Sequence, residues 1–320
     1  MKNNKSKIIL FLSICIVIAI CVLSVITLNQ KNLDNSKKST VKQDLTIITP
    51  SGAPALSLLG AINNQDINLN YEVVDGSDVL TAEFTNAEKD MIIAPVNLGV
   101  KLIEKGADYK LLGVVTWGNL YIVSSQNLYT SIAAFGEAAV PGKVLNYVKD
   151  LIGPNVNIEY YSSVQEAASM LLSGNTNAAL LAEPVLTKTA ASFKENNPDN
   201  SLNTVFNIQE LYKEKTGLNS YPQAAIFVKN DSIENKTNEV LEFVTAINSS
   251  IDTYNNNPNT LLDLKDKVSF ESLGFANVDL LVKAYDKMAI DYVFGSECTE
   301  EIKNFLELFN IEFNNNQFVK

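Results

Sequence analysis

Length and composition set the first limits: 320 residues, 46% of them hydrophobic and 8% aromatic, are ample for one large or two medium domains with real cores. All 25 basic residues are lysine, arginine and histidine are both absent, and the formal net charge is −11. That balance argues against nucleic acid as a partner, and the missing imidazole argues against a zinc or manganese site.

The chain opens with Lys2, Lys5 and Lys7, followed by an apolar run over residues 8–28 broken only by Ser13, Ser24 and Thr27. At ~1.5 Å per residue this run covers roughly 31 Å, enough for the ~30 Å hydrocarbon core of a bilayer. With its positive flank it reads as an export signal. No small-x-small cleavage site follows Leu28. Ile14 and Ile20 precede Cys15 and Cys21, where a lipoprotein signal needs a small residue. Residues 1–28 are therefore expected to stay on as an uncleaved anchor, displaying the remainder on the outer face of the cytoplasmic membrane.

Residues 29–43, rich in Asn, Lys, Ser and Thr, read as a tether. From Asp44 onward 18 lysines stand against 35 acidic residues, a net of −17 that disfavours lying on an anionic lipid surface. Only Cys298 falls outside the anchor, so there is no disulfide framework.

Strand and helix then alternate. The pattern predicts a strand at 45–49, a turn through Pro50-Ser51-Gly52-Ala53-Pro54 and a helix at 55–63. Strands at 69–74 and 91–94 follow, with helices at 79–84 and 98–105. Residues 110–124 are too long for one strand, and Thr116-Trp117-Gly118-Asn119 in their middle marks a crossing between lobes. Beyond it the pattern predicts a strand at 137–140, a turn at Pro141-Gly142 and a helix at 143–151. Next come a strand at 156–161, a helix at 164–172 capped by Ser162-Ser163, a strand at 178–182 and a helix at 185–194. After a loop at 196–200, a strand at 224–228 returns to the first lobe. The rest reads as almost wholly helical, at 233–254, 261–264, 277–292 and 299–309.

Two of these units say nearly the same thing. Asp90-Met91-Ile92-Ile93-Ala94-Pro95-Val96 and Ala178-Ala179-Leu180-Leu181-Ala182-Glu183-Pro184-Val185 are each a continuous apolar run stopped by a proline that opens a helix. Such runs suit strands buried on both faces, and proline suits a first helical turn, where no N–H is needed. Two units of this kind imply two α/β lobes whose strand ends meet across a cleft, the place where ligands bind in such sheets.

At this point the sequence resembles the solute-binding proteins of ABC importers, and more narrowly the branch of nitrate, alkanesulfonate and thiamine-precursor binders. The resemblance rests on Ile47-Ile48-Thr49-Pro50-Ser51-Gly52, the unit at 90–99, the crossing near Trp117, Leu172-Ser173-Gly174-Asn175, and Tyr221-Pro222-Gln223-Ala224-Ala225. It covers most of residues 44–292. Gly174-Asn175-Thr176-Asn177-Ala178 departs from the usual lead-in by carrying asparagine for aspartate.

The resemblance implies an α/β, two-lobe periplasmic-binding-protein type II fold, each lobe a mostly parallel sheet with flanking helices, and a helical C-terminal region. Lobe 1 would comprise 44–120 and 222–320, with lobe 2, residues 121–221, inserted. It further implies a monomer without cofactor or catalysis, which captures a small molecule by lobe closure and hands it to a membrane permease.

Carried over position by position, the expected ligand-binding residues are Ser51, Gly52, Asn97, Thr116, Trp117, Gly142, Lys143, Ser162 and Glu183. Each has a plainer alternative. Ser51-Gly52 either caps a helix or holds an anion at its start. Asn97 is either a ligand contact or a turn residue after Pro95. The only tryptophan, Trp117, is either core or a stacking surface. Lys143 sits at a helix start where the dipole opposes it, and Glu183 ends an apolar strand, where a carboxylate needs a partner. Tyr160, Tyr161 and Tyr221 are further aromatic candidates.

Without arginine the usual bidentate carboxylate clamp is missing. A pocket of backbone N–H groups, hydroxyls, amides, one tryptophan and one carboxylate suits a planar heteroaromatic such as a pyrimidine vitamin precursor. An oxyanion such as a sulfonate, held by helix termini, is the second choice. Two other roles fit a chain of this shape: a membrane-tethered ligand sensor, and a lyase of menaquinone synthesis with the same fold. The export segment and the lack of histidine for acid–base work speak against the lyase.

Overall fold

The computed structural model describes residues 43–320 other than 154, 276 and 320; the expected anchor and all but the last residue of the expected tether lie outside them. The first half runs β1 (Leu45–Pro50), α1 (Ala53–Leu56), α2 (Leu59–Ile62), β2 (Leu69–Val74), α3 (Ser77–Asn86), β3 (Met91–Pro95), α4 (Val96–Glu104) and β4 (Tyr109–Thr116). After the crossing come β5 (Leu120–Ser124), β6 (Ser131–Phe135), α5 (Val140–Ile152), β7 (Asn157–Tyr161), α6 (Val164–Leu172), β8 (Ala178–Ala182), α7 (Val185–Asn196), β9 (Asn203–Asn207) and α8 (Ile208–Thr216). The chain then returns through β10 (Ala224–Lys229), α9 (Asn230–Asn235), α10 (Thr237–Asn256), α11 (Val278–Ala284), β11 (Ile290–Phe294) and α12 (Thr299–Glu307).

These strands form two mixed sheets with flanking helices. One has the order β11-β4-β10-β3-β1-β2, the other β7-β6-β8-β5-β9. In the first, β1 pairs in parallel with β2 and β3, while β10 runs antiparallel to both β3 and β4. In the second, β6 pairs in parallel with β7 and β8, and β5 runs antiparallel to β8 and β9. The two repeated units are thus inner strands, β3 and β8, and burial on both faces explains their unbroken apolar runs. The edge strand β2 instead alternates between half-buried and exposed residues.

A core on one face of the first sheet packs Ile47, Ile93 and Ile226 against Phe243, Ile247 and Ile251 of α10. A second core is continuous from the other face of that sheet, through Tyr221 and Leu120, to Ile132 and Leu180 of the second sheet. The outer face of the second sheet packs on Ala167, Leu171 and Leu186 of α6 and α7.

Asp90, at the start of β3, is a buried carboxylate. It accepts from Thr46 N (2.8 Å), Thr46 Oγ1 (2.9 Å) and Ser232 Oγ (2.7 Å), and pairs with Lys236 at 2.9 Å. Burial alone would raise its pKa, but the bonds from Ser232, Lys236 and Thr46 hold it below the ordinary carboxylate value.

Several elements differ from the sequence expectation. The strand expected at 137–140 is instead β6, at Ser131–Phe135, and Pro141 and Gly142 belong to the first turn of α5 rather than to a turn before it. Pro141 lacks the N–H that a first turn leaves unpaired in any case. The helix expected at 55–63 is two short ones, and β9 and α8 occupy residues 203–216, beyond the expected loop at 196–200, where the sequence pattern predicted no element. The C-terminal region is not wholly helical. The helix expected at 277–292 ends as α-helix at Ala284, Ala289 takes a left-handed φ of 50°, and β11 then adds to the sheet edge by pairing with β4.

Two crossings join the sheets, 117–119 and 217–223. Gly118 has φ 83°, and a Cβ there would lie 2.6 Å from Tyr221 Cζ and 2.9 Å from Gln209 Cγ, so only glycine lets the crossings approach this closely. Tyr221 is fully buried, its ring 5.9 Å from Phe305 and 5.3 Å from Tyr212. Gln209 Oε1 accepts from both Leu120 N (2.9 Å) and Tyr221 Oη (3.1 Å), pinning one crossing to the other.

Candidate functional site

Strand direction decides where the expected site residues lie. β1, β3 and β4 all end at one rim of the first sheet, and antiparallel β10 begins there. At that rim Val96 N donates to Gln223 O (3.2 Å) and Gln223 N to Thr116 O (2.8 Å), which draws 96–97, 116 and 223 together. β6, β7 and β8 likewise end at one rim of the second sheet, where β5 begins. There Glu183 N donates to Asn119 O (3.1 Å) and Asn119 Nδ2 donates to Glu183 O (3.1 Å).

These rims hold an unusual set of atoms. Among the described residues six buried side-chain polar atoms have no hydrogen-bond partner: Asn97 Oδ1, Thr116 Oγ1, Asn119 Oδ1, Tyr160 Oη, Gln223 Oε1 and Tyr292 Oη. Buried polar groups are nearly always satisfied, because an unpaired one costs about 1–3 kcal/mol. Five of these six sit at the two rims, three at the first and two at the second; Tyr292 in β11 is the exception. Tyr160 has the Asn146 side chain as an electrostatic neighbour without a hydrogen bond of good geometry.

The remaining expected residues are mostly committed within the protein. Ser51 N donates to Val74 O, its hydroxyl to Asp75 Oδ1 (2.6 Å), and Gly52 N to Leu273 O (3.0 Å), ahead of the four-residue α1. Gly142 is buried in α5, where a Cβ would meet Glu137 Cα at 2.4 Å; it closes the helix onto the preceding loop. Half-buried Lys143 follows it, with no ion pair among the described residues. Exposed Ser162 gives its hydroxyl (2.6 Å) and N–H (2.9 Å) to Glu166, while Ser163 caps α6 by accepting from Glu166 N (3.2 Å). Tyr161 bonds to Glu159 (3.3 Å), and Tyr221 belongs to the crossing.

Glu183 is 3% exposed and accepts from Thr187 N (3.0 Å) and Thr187 Oγ1 (2.9 Å), capping its own helix α7. Burial pushes its carboxyl above the ordinary range; the Thr187 bonds and the charge of Lys287 pull against that without cancelling it. Lys287 comes from the C-terminal region, and its carbonyl accepts from Tyr121 Oη of β5 (3.0 Å), tying that region to the second sheet.

Trp117 faces away from the cluster. Its backbone N–H donates to Ala289 O (2.9 Å) and its indole Nε1 to Asp291 O (3.0 Å), so the ring lies along β11. Ser220 Oγ donates to the Trp117 carbonyl. The ring lines a cavity of about 550 Å³ together with Asn219, Ser220, Tyr285, Asp291 and Glu297. Trp117 alone of the nine expected residues reaches this cavity. Its ionisable walls are Tyr285, Asp286, Asp291, Glu297, Glu301 and the thiol of Cys298, none of them basic, and burial pushes the thiol pKa up to about 12. The unpartnered atoms mark the strand rims, not this cavity, as the better candidate for a ligand.

The sequence did not single out Gln223 and Asn119, whose unpartnered oxygens make them candidates. Each is a lone polar residue immediately before an apolar strand, Gln223 after Pro222 and Asn119 after Gly118. That is a usable signal, since a polar first strand residue lies at the rim.

The architecture is that of the periplasmic solute-binding proteins, two α/β lobes joined by two crossings. An ABC transporter structure from Parabacteroides distasonis superposes with a TM-score of 0.70 at 21% identity, covering 83% of this chain and 92% of that one. The ligand-binding component of an ABC-type import system from Staphylococcus aureus, with zinc bound, gives 0.62 at 12% identity over 87% and 97%. The alkanesulfonate-binding protein SsuA from Xanthomonas axonopodis pv. citri, bound to MOPS, gives 0.59 at 14% identity over 85% and 94%. No protein-family model matches the sequence, and no curated protein matches it. At these identities the likeness establishes the fold.

Proposed function

We propose that this chain is the solute-binding component of an ABC importer. The observation that carries the reading is the set of five unpartnered buried polar atoms at the strand rims, where open α/β sheets take their ligands. The similar folds support it, since they include an ABC transporter structure and the ligand-binding component of an ABC-type import system. In this reading residues 44–120 and 222–320 form one lobe, 121–221 the other, and a small molecule entering between the rims supplies the missing hydrogen bonds as the lobes close. Asn97, Thr116, Glu183 and, with them, Asn119 and Gln223 line the site, while Ser51, Gly52, Gly142 and Ser162 shape its walls. Lys143 stands at the second rim, and Trp117 buttresses the crossing.

The reading includes no chemistry on the solute. It has the chain act as a tethered monomer on the outer face of the cytoplasmic membrane, beside a permease. The solute is a heteroaromatic such as a vitamin precursor, or a small oxyanion such as a sulfonate.

The test is the melting temperature of residues 43–320, which form one compact unit, against a panel of vitamins, pyrimidines, sulfonates, nucleosides and amino acids. A ligand at ~100 times its dissociation constant adds about 2.7 kcal/mol of stability. One chemical class is expected to raise the melting temperature by several degrees. A well-folded protein that no class stabilises would refute solute binding.

A further inference from the structure

The two sheets meet differently on their two sides. On one side a single core runs from the first sheet through Tyr221 and Leu120 into the second. On the other side two cores stop short of each other. Among the described residues, the core behind α10 and α11 holds none from 121–221, and the core beneath α6 and α7 holds none from outside that range. What spans this second side is polar. α11 is seated in the first core by Val278, Leu281 and Ala284, and it lies beside α7. Tyr121 of β5, 7% exposed, donates its hydroxyl to the Lys287 carbonyl at 3.0 Å. The exposed Lys287 side chain places its charge near buried Glu183. A hydrogen bond and a partly exposed charge contact part at little cost, because water replaces both. Parting a continuous apolar core exposes its whole area to water. The polar side is therefore the one along which the sheets can separate.

We propose that the Tyr121–Lys287 bond, with α11 against α7 and the Lys287 charge beside Glu183, is a latch that holds the two sheets together before any solute arrives. Tyr121 is then a positioning residue. Its ring belongs to the outer core of the second sheet, and it sets the arrangement of the rims without touching the solute. The proposal rests on the reading that the lobes close on a solute, and it says what favours closure in the free protein. Without the latch the closed form is less populated, and a solute's apparent affinity falls with that population.

The experiment uses the full chain in detergent, with Cys15→Ser and Cys21→Ser and with buried Cys298 left in place. Spin labels at Lys194→Cys of α7 and at Lys265→Cys, both exposed, report the separation across the polar side by double electron–electron resonance. This labelled parent should give one main distance. Tyr121→Phe, which deletes only the hydroxyl, should melt near the parent's temperature and raise the longer-distance population about fivefold, the worth of one hydrogen bond. Lys287→Met keeps the carbonyl and should raise that population less. A parent already split between short and long distances would overturn the latch. So would an unchanged distance in Tyr121→Phe, or lengthening confined to Lys287→Met. A Tyr121→Phe chain that does not fold would make Tyr121 a core residue and overturn its positioning role. Whether a solute binds is decided separately by the melting-temperature panel, so the latch can fail while solute binding stands.

Discussion

Single side chains here divide into those that hold the fold and those whose bonding is incomplete. Asp90 belongs to the first kind: its carboxylate gathers β1, β3 and the α9–α10 junction through Thr46, Ser232 and Lys236. Because its folded pKa lies below the ordinary value, its stabilisation is complete above the unfolded pKa near 4 and is lost as pH falls through the folded value. Asp90→Asn should cost roughly 3 kcal/mol at neutral pH by removing the charge partner of half-buried Lys236 and weakening the bonds from Thr46 and Ser232, and the gap from wild type should shrink in denaturant titrations below about pH 4. Equal stability of the two proteins at neutral pH would remove Asp90 from this role. Thr116 belongs to the second kind, and Trp117 beside it belongs to the first. Trp117→Ala should therefore lower stability by about 2 kcal/mol while changing solute affinity less than Thr116→Val does, a contrast that calorimetric titration of both variants would check.

At the scale of elements, what was legible in the sequence depended on whether burial or pairing made the element. Met91–Pro95 and Ala178–Ala182 announce themselves, because a strand buried on both faces must be apolar throughout. Ser131–Phe135 hides, since Ser-Ile-Ala-Ala-Phe suits a helix as well as a strand and its strand state comes from pairing with β7 and β8. β9, Asn203–Asn207, is a largely exposed edge strand without an apolar run, and β11 continues what reads as a helical stretch until Ala289 reverses the chain and β4 captures it. The crossing at Thr116–Asn119 was legible from Gly118, and packing against Tyr221 explains the glycine. Gly118→Ala must both adopt φ near 83° and push Tyr221 aside, so a loss of roughly 2–4 kcal/mol is expected. The denaturant midpoint should fall with the slope unchanged; an unshifted midpoint would mean the crossings are not so tightly packed.

Across the whole molecule, the two-lobe plan was legible because it is written in repeated strand–proline–helix units, whereas the site was legible only in part. Asn97, Thr116 and Glu183 were singled out in the sequence because they stand at strand ends, and the first two carry an unpartnered buried oxygen. Gln223 and Asn119 were passed over, because what distinguishes them is an oxygen sealed from both water and partner, a property of packing between distant segments. Ser51, Gly52 and Ser162 have the right residue types, but their hydrogen bonds are spent on Val74, Asp75, Leu273 and Glu166. A core continuous from one sheet to the other through Tyr221 and Leu120 joins the two sheets on the crossing side. The most direct test is a crystal structure of residues 43–320 with the solute that most raises its melting temperature. The account predicts the solute between the two sheets, hydrogen-bonded to the side chains of Asn97, Thr116 and Gln223. A solute seated in the cavity beside Trp117, with those three oxygens still unpaired, would contradict it.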